Sequence, residues 1–284
     1  MNRNKWWDEQ QSSSSLPKLE IPYSRAKEEV WQQMETMINK QPASPRINKA
    51  PKRFLSFYMA VAAAFMVLLG TSAFFRYYTK TVEAVPGQHL ITLLPDGSSI
   101  SLNAGSSIQY NPLWWPFRRQ VQLRGEAFFS VAKSKTFEVV SDLGRTRVLG
   151  TRFNIYTRYN QYKVSCYSGK VRVESVLSGE TADITANMQA CIQPDGKVLS
   201  ETHKDVNEAK SWRDGMFTFT ACPLYQVFEE VERQYGIHIQ TPQKLEGLYS
   251  GNFTRSHTAD EVMHLICRSM GLQFEKTADG YRVY

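Results

Sequence analysis

The stretch FLSFYMAVAAAFMVLLGTSAFF, residues 54–75, organises this chain, because its twenty-two residues include no Asp, Glu, Lys, Arg or His. An α-helix of that length is about 33 Å long, which is enough to cross the roughly 30 Å hydrocarbon core of a bilayer. A buried core helix is usually shorter and keeps a polar stripe, which this stretch lacks. The sequence therefore predicts a helix that spans a membrane once.

A cleaved signal peptide is the main alternative for this stretch, since the small residues Thr71, Ser72 and Ala73 lie near its end. The apolar region of a signal peptide is shorter, about 7–15 residues, and starts close to the N-terminus. Here fifty-three mostly polar residues come first. A retained span is the expectation on both grounds.

The cations on either side of the span predict its orientation. Cytoplasmic flanks carry the excess of Lys and Arg. Four cations precede the span closely and two follow it: Arg46, Lys49, Lys52 and Arg53 before, Arg76 and Lys80 after. Residues 1–53 are therefore expected in the cytoplasm and residues 76–284 on the other side of the membrane.

The formal charge of +7 does not indicate a nucleic-acid-binding protein. Residues 1–53 hold ten Lys and Arg against six Asp and Glu, and residues 76–284 hold twenty-four against twenty-one, without a basic run. A phosphate-binding groove needs basic side chains clustered on one face. The excess charge instead reflects a solvated surface and the cations that flank the span.

One amphipathic helix is predicted before the span, within SRAKEEVWQQMETMINK, for which Ser24 suits the N-cap. A lone helix of this length is only marginally stable in water, and it has no hydrophobic core of its own in which to bury its apolar face. We expect a partner protein to cover its apolar face, chiefly at four residues: Val30, Trp31, Met34 and Ile38. The alternative, a helix lying on the inner leaflet, requires a more basic polar face.

After the span, from Val82 to about Val206, the sequence alternates in short apolar runs cut by turn signals. Examples are HLITLL before Pro95-Asp96-Gly97 and RRQVQL before Arg124-Gly125-Glu126. Strands at about ten-residue spacing, without a helical window, predict an all-β domain over residues 76–207. A sandwich and an irregular solenoid both fit this pattern.

Helical patterns return in residues 208–284. PLYQVFEEVERQY begins with a proline, and a capping box of Thr258 and Glu261 opens a second helix that Gly271 ends. Strand-like runs flank both helices, and Asp279-Gly280 joins a final hairpin. The pattern predicts a small α/β domain made of two strand-helix-strand units.

All four cysteines follow the span, on the side expected to be oxidising. An even number of cysteines there permits disulfides, and four cysteines allow three pairings. The pairs Cys166–Cys191 and Cys222–Cys267 are favoured, because each lies within one predicted domain. Four free thiols are the alternative.

No stretch of the sequence indicates an enzyme, a cofactor or a metal site. Ser130-Val-Ala-Lys133 matches a serine S-x-x-K motif, but it lies inside a β-run and its companion motifs are missing. The five histidines show no metal-ligand spacing. Asp96 is expected to bond the backbone of its turn, and Glu126 to bond backbone beside it.

Two alternatives to a regulatory role stay open. One is a membrane-anchored module that binds glycans of the cell envelope, since Trp114 and Trp115 lie between prolines and would stack on a sugar. The other is a membrane-tethered hydrolase, which requires a cleft in which carboxylates converge.

Several motifs resemble one known family. LPDGSSISLNAGSSIQYNP, VQLRGEAFFSVAK and VLGTRFN resemble the FecR domain of membrane-bound anti-sigma factors. FTFTACPLYQVFEEVERQYGIHI is similar to the C-terminal domain of the Bacteroidetes-type members. EEVWQQMETMI resembles the helix that these proteins carry before their span.

The resemblance implies a single-pass protein of the bacterial inner membrane, with its N-terminus in the cytoplasm and its C-terminus in the periplasm. Its tail would hold an extracytoplasmic-function (ECF) sigma factor. Its periplasmic domains would receive a signal from the N-terminal domain of a TonB-dependent outer-membrane transporter. An intramembrane protease would release the tail. The implied role is an anti-sigma factor that controls transcription without a cofactor.

Overall fold

The computed structural model describes most of the chain: residues 26–40, 52–202, 208–242 and 245–284. The chain forms two compact units, residues 1–63 and 64–284. Strands dominate the second unit, and one long apolar helix lies near the N-terminus.

Two helices come first, α1 (Lys27–Asn39) and α2 (Lys52–Tyr77). The predicted N-cap of α1, Ser24, lies outside the described residues, and α1 begins after Ala26, whose side chain makes no capping bond. Within the described residues, Ser56–Tyr77 is the one helical segment long and apolar enough to cross a membrane. None of that segment is buried inside the protein.

Thirteen strands then build the β-domain. They are β1 (Lys80–Ala84), β2 (Leu90–Leu93), β3 (Ser99–Leu102), β4 (Ser106–Tyr110), β5 (Arg119–Ser130), β6 (Phe137–Val140), β7 (Gly144–Val148), β8 (Arg152–Arg158), β9 (Gln161–Ser168), β10 (Lys170–Ser175), β11 (Thr181–Thr185), β12 (Met188–Ile192) and β13 (Val198–Thr202).

These strands form two sheets that share β5. Sheet A has the order β1-β4-β5-β6-β7-β10-β11, and sheet B has the order β2-β3-β5-β8-β9-β12-β13. Residues 119–124 of β5 pair within sheet A, whereas residues 125–130 pair within sheet B. All of these pairs are antiparallel except β5 with β6.

The bend in β5 lies at Gly125, where the sequence predicted a turn between two strands. The chain continues as one strand, because Gly125 has φ +91° and lets the backbone pass from one sheet to the other. A Cβ at this position would lie 2.5 Å from Ser106 Oγ. The predicted turn is therefore wrong, and the glycine instead serves a close approach of two strands.

One apolar core lies between the two sheets. Val121 and Leu123 face it from the sheet A half of β5, and Ala127 and Phe129 from the sheet B half. Phe129 stacks on Phe153 with ring centroids 5.0 Å apart. Two sheets packed on a shared core correspond to the sandwich rather than the solenoid.

The outer faces of the two sheets differ. Sheet A carries a network of ion pairs in which Glu138 contacts Arg145 and Arg147, and Glu174 contacts the same two arginines. Sheet B is instead covered by the C-terminal domain, because Phe128 of β5 belongs to the apolar core of that domain. The C-terminal domain thus packs on the outer face of sheet B.

The C-terminal domain contains a 3-10 helix and seven regular elements. The 3-10 helix is Glu208–Asp214, and the others are β14 (Met216–Pro223), α3 (Leu224–Tyr235), β15 (His238–Gln240), β16 (Leu248–Thr254), α4 (Ala259–Met270), β17 (Phe274–Lys276) and β18 (Gly280–Val283).

Within each predicted strand-helix-strand unit, the strand before the helix and the strand after it belong to different sheets. β14 pairs antiparallel with β16, with an irregularity after Phe219 where Ala221 has φ +46°. β15 pairs instead with β18, which pairs with β17, so the strands before and after α3 belong to different sheets. The order of elements and the hairpin of β17 with β18 were predicted correctly, whereas the pairing of β14 with β16 and of β15 with β18 was not predicted.

The predicted ends of the two helices are confirmed. Thr258 and Glu261 form the expected capping box, in which the Glu261 side chain accepts from the Thr258 N–H at 2.7 Å. Gly236 after α3 and Gly271 after α4 adopt the left-handed conformation that ends a helix. The local sequence was sufficient to predict these helix ends, because a helix cap is formed by residues that are close together in sequence.

Candidate functional site

The apolar face of α1 is exposed along its whole length, since no residue of the helix is buried. Trp31 is 62% exposed, Met34 is 50% exposed and Ile38 is 73% exposed. Val30 and Met37 extend the same face and are also exposed. A helix in water gains nothing from such a face, so this surface is one candidate contact site.

A second candidate site lies where the C-terminal domain meets sheet B. Trp212 of the 3-10 helix is buried in the same apolar cluster as Phe128. The guanidinium of Arg213 lies 4.2 Å from the centroid of the Phe128 ring, which is cation–π distance. These contacts fix the 3-10 helix against the sandwich.

A chain of buried amides joins the two domains at this site. Gln234 of α3 donates from Nε2 to Asn103 Oδ1 at 2.9 Å and to Glu230 Oε1 at 2.7 Å. Its Oε1 lies 2.9 Å from His89 Nε2. Burial lowers the pKa of His89, and its hydrogen bond to Gln234 acts in the opposite direction.

Glu126 is the buried carboxylate of the β-domain in this network. It accepts hydrogen bonds from Asn103 Nδ2 at 2.9 Å and from Asn154 Nδ2 at 2.8 Å. The expectation that it bonds neighbouring backbone is wrong, because two amide side chains occupy its oxygens. Burial, and then the negative charge of Glu230, raise the pKa of Glu126 to about 7.

Glu230 is the matching carboxylate of the C-terminal domain. Burial alone would raise its pKa, but the charges of Arg233 and Arg158 and its hydrogen bonds leave that pKa lowered. Arg233 donates to Glu230 Oε2 at 2.8 Å and also to the hydroxyl of Tyr159 at 2.7 Å. Arg233 therefore connects α3 to the loop between β8 and β9.

A polar cavity of about 370 Å³ lies beside the network, and both Glu126 and Glu230 line it. This is the converging pair of carboxylates that a hydrolase would require. However, all four carboxylate oxygens already accept hydrogen bonds from Asn103, Asn154, Gln234 or Arg233. The geometry thus favours a structural link between domains over acid–base chemistry on a substrate.

The two tryptophans proposed as a sugar platform point in different directions. Trp115 is 4% exposed and packs edge-to-face against Tyr110 and Phe137 in the sandwich core. Trp114 instead lies at the surface, beside Phe117 at 4.8 Å. A paired stacking surface is therefore absent from this loop.

All four cysteines are free thiols, so neither favoured disulfide is formed. In the pairing of β9 with β12, Cys166 faces Met188 and Cys191 faces Lys163. Because side chains alternate along a strand, Cys166 points into the core while Cys191 lies on the opposite face. Burial raises the pKa of Cys166 and of Cys267 to about 11, which leaves both thiols protonated at neutral pH.

Asp96 lies in its predicted turn and also forms an ion pair with a residue outside that turn. Its carboxylate accepts from the Ser98 N–H at 3.0 Å, as expected for a turn aspartate. It also pairs with the buried Arg119. Burial would raise the Asp96 pKa, but the hydrogen bonds from Ser98 and Arg119 leave it lowered.

The amide network was not predicted from the sequence. Gln234 follows Val231 by three residues and so falls on the buried face of α3, where Val227 and Phe228 also lie. A polar residue at a core position was the available signal. Among the residues that the structure describes, no group of three or more His, Cys, Asp or Glu is arranged to hold a metal ion.

Comparisons with known proteins agree with the resemblance of the motifs. The family described as "FecR protein" matches residues 80–172, and "FecR, C-terminal" matches residues 216–284. Two crystal structures of a candidate anti-sigma factor from Parabacteroides distasonis ATCC 8503 match at 25% identity, with TM-scores of 0.65 and 0.64. They cover 73% and 72% of this chain, and 99% and 98% of their own chains. A comparison with curated proteins gives no match.

Proposed function

This chain belongs to the FecR family of anti-sigma factors, and from that premise we propose that it regulates an ECF sigma factor across the bacterial inner membrane. In this proposal α1 holds the sigma factor, α2 crosses the bilayer once, and the two domains that follow receive a signal in the periplasm. The chain acts through protein contacts and so controls transcription.

The exposed apolar face of α1 is the observation that supports this proposal best. Burial of a large apolar side chain in a partner groove contributes roughly 1.5–3 kcal/mol, and a tryptophan on such a face is a frequent hot spot. The spacing of the face matches helices that lie in a groove. The proposed contact residues are Val30, Trp31, Met34 and Ile38.

Co-purification of the full chain with a co-encoded ECF sigma factor tests the proposal. Trp31→Glu is expected to abolish capture, because it places a charge in an apolar groove. Gln32→Glu is the matched control, since Gln32 points away from the apolar face and should leave capture intact. Equal capture by both variants, or no capture by the unaltered chain, would contradict the proposed contact.

The proposed division of the chain follows its composition. Residues 1–53 form the cytoplasmic tail and residues 54–75 the span, while residues 76–207 and 208–284 form the two periplasmic domains. The solvent-exposed apolar surface of α2 supports the span, because a helix of that composition is stable only in an apolar solvent. The excess of cations before the span supports the orientation.

The proposed source of the signal is the N-terminal domain of a TonB-dependent outer-membrane transporter. β14 and β16 pair with each other, and each keeps one edge without a strand neighbour in the described residues. Such an edge accepts an added strand. Proline substitutions along β14 and β16 are expected to abolish induction of a sigma-dependent reporter, whereas proline in β11 should preserve it. Full induction in every β14 and β16 variant would refute this docking mode.

Intramembrane proteolysis is the proposed means of releasing the tail. Gly70 has low helix propensity, and the Thr71 hydroxyl donates to the carbonyls of Val67 and Leu68 at 2.8 and 3.0 Å. These features ease local unwinding near the end of α2. Gly70→Leu is expected to slow release of the tail in cells, and Ala63→Leu serves as the control. Identical release from both variants would exclude this role of Gly70.

A further inference from the structure

The loop between β4 and β5, residues 111–118, is here called the aromatic loop, and it begins beside the end of α2. Only two residues separate Tyr77, the last residue of α2, from Lys80, the first of β1. The three Cα–Cα steps from Tyr77 to Lys80 span at most about 11 Å. Because Lys80 pairs with Tyr110, the aromatic loop starts directly next to the helix end.

Hydrogen bonds tie the loop to that helix end. Asn111 donates from Nδ2 to the carbonyl oxygens of Phe75 and Arg76, both at 2.9 Å. Carbonyls in the last turn of a helix lack partners within the helix, so an external donor stabilises them. Gln109 adds a bond of 2.9 Å to the Thr79 hydroxyl. The position of the loop relative to α2 is therefore fixed by several contacts.

The loop presents apolar side chains outward. Trp115 anchors it in the sandwich core, while Phe117 is 75% exposed and Leu113 is also exposed. The Trp114 ring lies 4.8 Å from the Phe117 ring, and the Arg76 guanidinium lies 5.6 Å from the Trp114 ring. The exposed aromatic side chains of the loop thus lie next to Arg76 at the end of α2.

We propose that the aromatic loop lies in the interfacial layer of the bilayer at the C-terminal end of α2, so that the β-domain rests on the membrane. Continuity with α2 identifies the bilayer as the occupant of this surface, because Asn111 contacts residues at the boundary of the span. Tryptophan beside arginine is typical of that layer. This inference rests on the proposed span.

Depth-dependent fluorescence quenching tests the inference in the full chain. An environment-sensitive fluorescent amino acid replaces Phe117, Leu68 or Leu177 in separate preparations, each reconstituted in phosphatidylethanolamine–phosphatidylglycerol vesicles with spin-labelled lipid. Leu177 matches Phe117 closely in exposure, at 72%, and follows β10, five strands from β1 in sheet A. Five strand spacings amount to about 24 Å.

We expect quenching at position 117 by lipid labelled near its headgroup, quenching at position 68 by lipid labelled deep in its chain, and none at position 177. Quenching at position 68 without quenching at position 117 would overturn the loop contact and leave the span intact. Equal quenching at positions 117 and 177 would also overturn it. No quenching at position 68 would overturn the span itself.

Discussion

Gln234 donates a hydrogen bond of 2.9 Å to Asn103, which lies 131 residues earlier in the chain, and both side chains are buried. This bond and the bond from His89 join α3 to the sandwich. A buried amide is retained only where its hydrogen bonds are satisfied. The β-domain and the C-terminal domain are therefore joined by buried hydrogen bonds.

Loss of the Gln234 hydrogen bonds should destabilise the joined β-domain and C-terminal domain. Gln234→Leu leaves buried acceptors on Asn103 and Glu230 with one partner fewer, which costs roughly 1–3 kcal/mol in the free energy of unfolding. Gln240→Leu is the control, because Gln240 is exposed and should change stability by less than about 0.5 kcal/mol. Urea unfolding of the protein in detergent measures both. Similar losses in the two variants would show that these hydrogen bonds have no special role.

The raised pKa of Glu126 predicts a pH dependence of stability. The folded state holds a proton on Glu126 up to about pH 7, whereas the unfolded carboxyl has the ordinary pKa of 4.5. The free energy of unfolding should therefore fall by up to about 3 kcal/mol as pH rises between these values. Glu126→Gln removes this titration.

The measurement compares the unaltered chain with Glu126→Gln by urea unfolding between about pH 5 and about pH 8. His89 titrates in the opposite sense, since its lowered pKa makes stability rise with pH, but it is present in both proteins. The difference between the two curves should grow in favour of the variant toward high pH. Parallel curves would mean that Glu126 titrates normally.

Gly125 should be far less replaceable than a glycine in an open turn. Gly125→Ala combines a strained φ of +91° with contacts to Ser106 under 3.0 Å, so we expect a loss of at least about 3 kcal/mol. Gly179→Ala is the control, because its φ is +73° and nothing lies within 4 Å. That variant should lose about 1 kcal/mol. Equal losses by thermal or urea unfolding would exclude steric crowding as the cause.

The buried ion pair of Arg119 with Asp96 should matter more than an exposed pair of similar geometry. Arg119→Met leaves the Asp96 carboxylate without its cation and is expected to cost about 3–5 kcal/mol. Arg172→Met breaks the exposed pair with Asp183 and should leave the free energy of unfolding nearly unchanged. Urea unfolding of both variants distinguishes them. A loss of less than about 1 kcal/mol for Arg119→Met would contradict the buried role of the pair.

Local signals predicted the parts of the fold that depend on neighbours in sequence. Residues that are close together in sequence were enough to recognise the apolar helix, the capping box at Thr258 and the hairpin at Gly280. The route of β5 through Gly125 was missed, because a glycine between two apolar runs is typical of a turn and of a bend alike. Only the pairing of distant strands decides between them.

The two candidate sites also differ in whether the sequence alone could predict them. The apolar face of α1 follows from helical periodicity, so its residues were found in the sequence. The amide network joins Asn103, Asn154 and Gln234 across long separations, and no periodic pattern marks them. Their partners are set by how the C-terminal domain packs on sheet B, which is a tertiary property.

Protease protection in intact spheroplasts, with one epitope tag at each end of the full chain, tests whether α2 separates the two flanks of the chain into different compartments. Added protease is expected to remove the C-terminal tag and to leave the N-terminal tag intact until the membrane is permeabilised. Loss of both tags, or protection of both, before permeabilisation would place the two flanks of α2 in one compartment. That result would contradict transmission across the membrane.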